Sequence, residues 1–150
     1  MLQIVKTTNQ NKDFISLVKE LDAELAIRDG DDHDFYNQFN KLDTIQHCLI
    51  AYLDTFPVGC GAIKEYDTST MEIKRMYTKT TARGKGVASQ LLQQLENWAR
   101  ELGYQKCILE TGINQPEAIA LYKKCEYKRM EENYGQYKGV AASFCFKKKL

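Results

Sequence analysis

The stretch that most constrains this chain runs from Met71 to Leu102 and reads MEIKRMYTKTTARGKGVASQLLQQLENWAREL. An apolar-alternating strand enters a glycine-bearing turn, and a helix follows at once. Val87, Ala88, Leu91, Leu92, Leu95, Trp98, Ala99 and Leu102 recur at three- and four-residue steps, so the helix carries one apolar stripe. Gly103 comes just after it as a C-cap. In the segment from Arg83 to Ser89 the glycines permit positive φ and close approach of an anion. The first amides of the helix point at the same place, with its partial positive charge behind them. Arg83 and Lys85 add charge. The segment reads as a pyrophosphate cradle, although spacing alone fits an ordinary strand-to-helix turn equally well. Two other phosphate loops fail here. Lys85 is followed by Gly86 where a P-loop needs Ser or Thr, and Ser89 stands where a dinucleotide fingerprint needs its third glycine.

A chain of 150 residues predicts one domain, spanning 1–150, with a real core. Twenty-one basic and 20 acidic residues leave a net charge of +1, which gives no support to binding nucleic acid by counterion release. The longest apolar run, Cys48 to Leu53, is far too short for a membrane span, and no signal peptide is read before Ile4. Cys48, Cys60, Cys107, Cys125 and Cys145 are scattered, odd in number and mostly set in apolar stretches. They read as reduced core thiols of a cytoplasmic protein. With only His33 and His47 to offer imidazoles, no metal site is expected.

Taken in order, Leu2 to Lys6 alternates as a first strand. Asn9 or Asn11 can cap a helix whose Phe14, Leu17, Val18, Leu21 and Leu25 form a stripe ending near Arg28. Asp29, Asp31, Asp32 and Asp34 break it, and Phe35, Tyr36 and Phe39 suggest a second short helix. Capping is the favoured reading of these aspartates; the sharper one is an acidic rim that attracts a cationic amine. Ile45 to Leu53, Val58 to Tyr66 and the Glu72 strand form an antiparallel meander. Gly59 and Gly61 lie on one face of it, where another layer can approach closely. Gln105 to Thr111 is a short strand, parallel to the Glu72 strand because a helix connects the two. Pro116 opens a last helix bearing Ile119, Leu121, Tyr122 and Cys125. Tyr127 to Met130 and Ala141 to Lys148 close the chain as strands, the apolar Ala141 to Phe146 portion being a candidate exchanged or interface strand.

Arg83, Gly86 and Ala88 satisfy the [Q/R]-x-x-G-x-[G/A] signature, and Asn114, Ala118, Leu121 and Tyr122 follow the N-x-x-A-x-x-L-Y helix with altered spacing at its front. On these motifs, in a strand–loop–helix–strand context, the chain resembles the GNAT superfamily of acyl-CoA-dependent N-acyltransferases. It departs from the family pattern at Thr78 and Thr80, in the approach to the loop. It departs again at Glu126-Tyr127, where a Gly-aromatic pair is usual, and a Glu in a left-handed cap costs stability.

The resemblance implies an α/β fold: a mixed, mostly antiparallel sheet of about six or seven strands, with a splayed parallel central pair and about four flanking helices. It implies an N-acetyltransferase in which a small-molecule or peptide amine attacks acetyl-CoA directly, without a metal. The main-chain groups of Met76, Tyr77 and Thr78 would hold the pantetheine arm and thioester. The loop amides of Arg83, Gly84, Lys85, Gly86, Val87, Ala88 and Ser89 would hold the pyrophosphate, and Asn114 would bond the pantetheine arm. Tyr122 is the candidate general acid: a phenol of pKa about 10 can protonate a departing thiolate of pKa about 8.5 when well placed. Glu72 is the candidate base, on one strand face with Lys74 and Met76 if alternation is regular, and Glu110 competes with it. Two rivals stand beside this reading: a non-catalytic acyl-CoA-binding or regulatory module of the same fold, and a nucleotide-phosphate binder. Neither nucleic acid nor membrane is an expected partner, and a monomer or a homodimer is expected.

Overall fold

In the computed structural model of the chain, residues 1–30 and 45–150 are described. The described strands and α-helices are β1 (Leu2–Thr7), α1 (Lys12–Asp29), β2 (His47–Leu53), β3 (Phe56–Asp67), β4 (Thr70–Thr78), α2 (Val87–Glu101), β5 (Lys106–Gly112), α3 (Pro116–Lys124), β6 (Lys128–Arg129) and β7 (Ser143–Lys149), with short 3-10 turns at Thr80–Ala82 and Gly135–Tyr137. The short helix expected around Phe35 to Phe39, and the aspartates Asp31, Asp32 and Asp34, lie outside the described residues.

All seven strands form one sheet in the order β1-β2-β3-β4-β5-β7-β6. The parallel pair is β4 with β5, and every other pairing is antiparallel. β7, the strand considered for exchange, pairs along its length with β5 and at two positions with the short β6 of its own chain. Alternation then divides the core between the two faces. Phe14, Leu17 and Val18 of α1 pack on Cys48, Ile50, Cys60 and Ala62. On the other face Leu91, Leu92, Leu95 and Ala99 of α2 pack on Leu49, Ile63, Ile73 and Leu109. Burial of these aliphatic side chains, each worth about 1.5–3 kcal/mol, is what holds helices to sheet.

Local chemistry sets the ends of the elements. Asn11 caps α1, its side chain accepting from the Asp13 and Phe14 amides at 2.8 and 3.3 Å. Pro116 sits in the first turn of α3. Gly61 lets α2 approach β3 closely: a Cβ there would lie 2.7 Å from Met76 Sδ and 2.8 Å from Leu95 Cδ1. Cys48, Cys60, Cys107 and Cys145 are buried free thiols, and Cys125 is half-buried.

Regular alternation fails at one place. Cys60 pairs with Tyr77 but Ala62 pairs with Lys74, so three steps on β4 oppose two on β3. The extra residue is Arg75, at φ 60°. This bulge reverses the facing of everything beyond it. Lys74 and Arg75 both stay on the α1 face with Glu72, whereas Met76 turns to the α2 face. The shared face expected for Glu72, Lys74 and Met76 is therefore broken by the bulge.

Candidate active site

The β4 and β5 strands pair only from Thr70–Lys106 to Glu72–Ile108 and then diverge. Beyond Glu72, the β5-facing main chain of β4 has no strand opposite it among the described residues. Backbone N–H and C=O groups left this way need a partner, and a ligand can supply it. The splay opens a groove of about 500 Å³ lined by Met76, Tyr77 and Thr78 on one side and by Ala118, Leu121 and Tyr122 on the other.

At its far end the groove reaches Arg83, Gly84, Gly86, Val87, Ala88 and Ser89. Gly84 and Gly86 both take φ 80°, a left-handed conformation that a side chain would strain. No side chain caps the N-terminus of α2, so its first-turn amides remain directed at whatever enters the groove. These residues fit a pyrophosphate on their own geometry. The side chains of the loop divide differently from expectation. Arg83 is held elsewhere: its Nε donates to the Thr78 carbonyl at 2.8 Å, and its Nη2 pairs with Glu24 at 2.9 Å. Lys85 is exposed and is not among the groove-lining residues. Asn114 is exposed too, and its amide donates to the Arg28 carbonyl at 3.2 Å, fixing the end of α1 rather than lining the groove.

A smaller cavity of about 110 Å³ adjoins the groove on the α1 side, bordered by Glu72, Lys74, Arg75, Glu110, Tyr122 and Tyr137. Tyr122 lines both spaces. Burial, and then the charge of Glu110, push its phenol well above the ordinary value, so it keeps its proton at neutral pH. Glu72 and Glu110 are both brought here, in different surroundings. Glu72 accepts from the Tyr134 hydroxyl at 2.7 Å and has Lys74 Nζ 3.9 Å away. Glu110 is hydrogen-bonded by the Ser143 side chain, while its buried Oε2 has no hydrogen-bond partner among the described residues. Burial pushes the Glu110 carboxyl up to about 7, with the negative charge of Asp29 adding to the rise. A carboxylate so poised can take a proton near neutral pH.

The sequence reading missed a ladder of contacts that locks α1 over the site. Glu20 receives the Tyr77 hydroxyl at 3.1 Å and Lys79 at 3.1 Å. Asp22 meets Arg75 Nη1 at 3.3 Å, and Glu24 meets Arg83. The signal was present as acidic residues flanking the buried stripe of α1, Glu20 and Glu24 on one side and Asp22 on the other, and as basic ones after Ile73, but pairing them needs the bulge. Among the described residues no cluster of three or more His, Cys, Asp or Glu side chains could hold a metal ion, and no helix is long and apolar enough to cross a membrane.

A splayed parallel pair with an anion-binding helix start at one end defines the acyl-CoA N-acyltransferase fold, and comparison with known proteins agrees. Residues 14–127 match the acetyltransferase (GNAT) family. The chain is 35% identical over 119 residues to the IAA acetyltransferase of Azospirillum brasilense, the match covering 73% of each chain. A protein described as the acyl-CoA N-acyltransferase of Klebsiella pneumoniae subsp. pneumoniae MGH 78578 superposes with a TM-score of 0.84 at 30% identity, over 100% of this chain and 98% of that one. An acetyltransferase of Elizabethkingia anophelis, solved with acetyl-CoA bound, shares the fold with a TM-score of 0.73 at 18% identity, over 99% of this chain and 98% of that one. The chain belongs to the GNAT acetyltransferase family. It is an acetyl-CoA-dependent N-acetyltransferase.

Proposed function

We propose that Glu110 and Tyr122 carry the acetyl transfer, as base and acid respectively, with the amine acceptor seated in the smaller cavity. The observation that carries this reading is the buried Oε2 of Glu110, without a hydrogen-bond partner among the described residues, in the cavity that Tyr122 shares with the groove. Acetyl-CoA, when bound, supplies an activated thioester carbonyl. The amides at the start of α2 hold its pyrophosphate, and the free edge of β4 beyond Glu72 binds the pantetheine arm and offers N–H donors to the thioester oxygen. Glu110 takes the proton that an alkylammonium acceptor must lose, directly or through one water, so that the nitrogen lone pair is free to form the new C–N bond. Tyr122 gives its proton to the sulfur as the C–S bond breaks, and the second proton that the nitrogen sheds on becoming an amide restores the Tyr122 phenol. No side chain needs to carry the acetyl group.

Glu72 takes a supporting part in this scheme, because its carboxylate already holds the Tyr134 hydroxyl and neighbours Lys74. The family's amine acceptors, the free cysteine thiols and the even charge balance are consistent with a small-molecule or peptide amine acceptor and with a cytoplasmic enzyme that engages neither nucleic acid nor membrane. The test is release of free thiol from acetyl-CoA, measured for Glu110→Gln and Glu72→Gln beside calorimetric titration of acetyl-CoA. The expected result is a loss of about 10²–10⁴ in kcat for Glu110→Gln with acetyl-CoA affinity kept. A larger loss for Glu72→Gln than for Glu110→Gln would reverse the two roles.

A further inference from the structure

Arg75 is the most unusual side chain of the smaller cavity. It is a non-glycine residue at φ 60°, held at the point where β4 bulges. Strain of this kind persists where the surrounding structure enforces it, and it is concentrated at ligand-binding positions. The result of the bulge is to put a guanidinium on the same face as Lys74, one residue earlier than regular alternation would permit. The side chain is 2% exposed and borders the cavity.

Its hydrogen bonds are incomplete in a specific way. Nη1 meets Asp22 Oδ1 at 3.3 Å. Nε and Nη2 are both buried and have no hydrogen-bond partner among the described residues. Those two nitrogens form one edge of the guanidinium, and their N–H bonds run parallel. That edge matches the two oxygens of a carboxylate in a bidentate pair. A buried cation with one such edge unfilled is costly unless something fills it.

We propose that the acceptor carries a carboxylate, which Arg75 binds through Nε and Nη2, so that the substrate class is small amino carboxylates such as free amino acids. This deepens the acetyl-transfer reading above and rests on it. The cavity is charge-matched to such a zwitterion: Arg75 and Lys74 for the carboxylate, Glu110 and Glu72 for the ammonium. Its volume of about 110 Å³ suits a small molecule.

The experiment pairs each acceptor with its carboxamide. Thiol release from acetyl-CoA is followed for a panel of free amino acids, the matching amino acid amides and the matching decarboxylated amines. The wild type is compared with Arg75→Met, Arg75→Lys and Asp22→Asn. The expected result is that at least one amino acid exceeds its amide in kcat/KM by more than about thirtyfold, the discrimination of a lost charge-assisted pair. Arg75→Met brings that ratio near one while acetyl-CoA affinity, read by calorimetry, is kept. Asp22→Asn keeps the ratio, because Asp22 occupies the other side of the guanidinium. Arg75→Lys reports the same ratio should the methionine variant fail to fold, and is expected to retain only part of it. Amides and plain amines reacting as fast as the amino acids, or a ratio unchanged in both Arg75 variants, overturns the carboxylate site and leaves the transferase reading standing. No thiol release with any member of the panel overturns both.

Discussion

Glu72 and Ile108 are the last residues that β4 and β5 share across their parallel pairing, and Glu110 lies two positions beyond Ile108 on the same face. The proposed acid-base chemistry of the site rests on that separation. Because the strands diverge after Glu72, the cavity that opens between them takes in both carboxylates, and Tyr122 enters it from α3. The same divergence frees the edge of β4 that the acyl donor needs. One structural event, the end of a three-residue parallel ladder, thus opens the groove and brings the proposed proton-transfer groups together.

Tyr122→Phe should lower kcat by roughly 10²–10⁴-fold while acetyl-CoA affinity changes little, because the variant removes only the proton donor. The ring also packs against Tyr127 at a centroid distance of 5.9 Å, and phenylalanine preserves that contact. Single-turnover thiol release beside calorimetry checks this. An unchanged chemical rate would return Tyr122 to a packing role alone.

Glu110 should also make stability depend on pH. Its folded-state pKa of about 7 lies above the ordinary 4.5, so the protonated form is favoured by folding. That contribution is fully present below pH 4.5 and is lost as pH rises through 7, to an upper limit of about 3 kcal/mol. Glu110→Gln should therefore raise Tm relative to wild type at pH 8 and much less so at pH 5. Thermal melts at the two pH values decide it, and an equal change at both would contradict the assigned burial cost.

Much of this arrangement was legible in the sequence, for identifiable reasons. The α2 stripe, Pro116 at the start of α3 and the spacing of Arg83, Gly86 and Ala88 are local patterns, and local patterns survive folding. The close approach at Gly61 was legible because a glycine within an apolar strand has few other uses. The bulge at Arg75 was not. Arginine carries no preference for positive φ, and only the pairing of β3 with β4 requires the extra residue. Everything that depends on facing beyond that point, including the position of Met76 and the access of Arg75 to the cavity, was hidden with it. The different surroundings of Glu72 and Glu110 were equally hidden, since they turn on Tyr134 and Ser143, distant residues that only the fold brings near. Asn114 and Lys85 are both exposed and neither is among the groove-lining residues, a matter of side-chain direction that spacing in the sequence does not carry.

The departure at Glu126 is a local cost that the fold accepts. Glu126 sits at φ 72° after α3, where the Tyr127 amide bonds back to the Tyr122 carbonyl at 2.9 Å. The turn thus forms in the left-handed conformation even without glycine. Glu126→Gly should stabilise the protein by about 1 kcal/mol, since the left-handed penalty disappears and the side chain is exposed. Urea unfolding measures it, and a loss of stability would mean that the Glu126 side chain contributes more than its backbone costs.

The most direct test of the account is the pH dependence of kcat/KM for the acceptor in wild type, Glu110→Gln and Glu72→Gln. A free amine that must deprotonate gives a rising limb of its own, and an enzyme base adds a second proton loss below its pKa. For the wild type the slope of log kcat/KM should fall by about one unit near pH 7, where Glu110 titrates. Glu72→Gln should keep that break and Glu110→Gln should lose it. A break that survives in Glu110→Gln and vanishes in Glu72→Gln would contradict the account and make Glu72 the base.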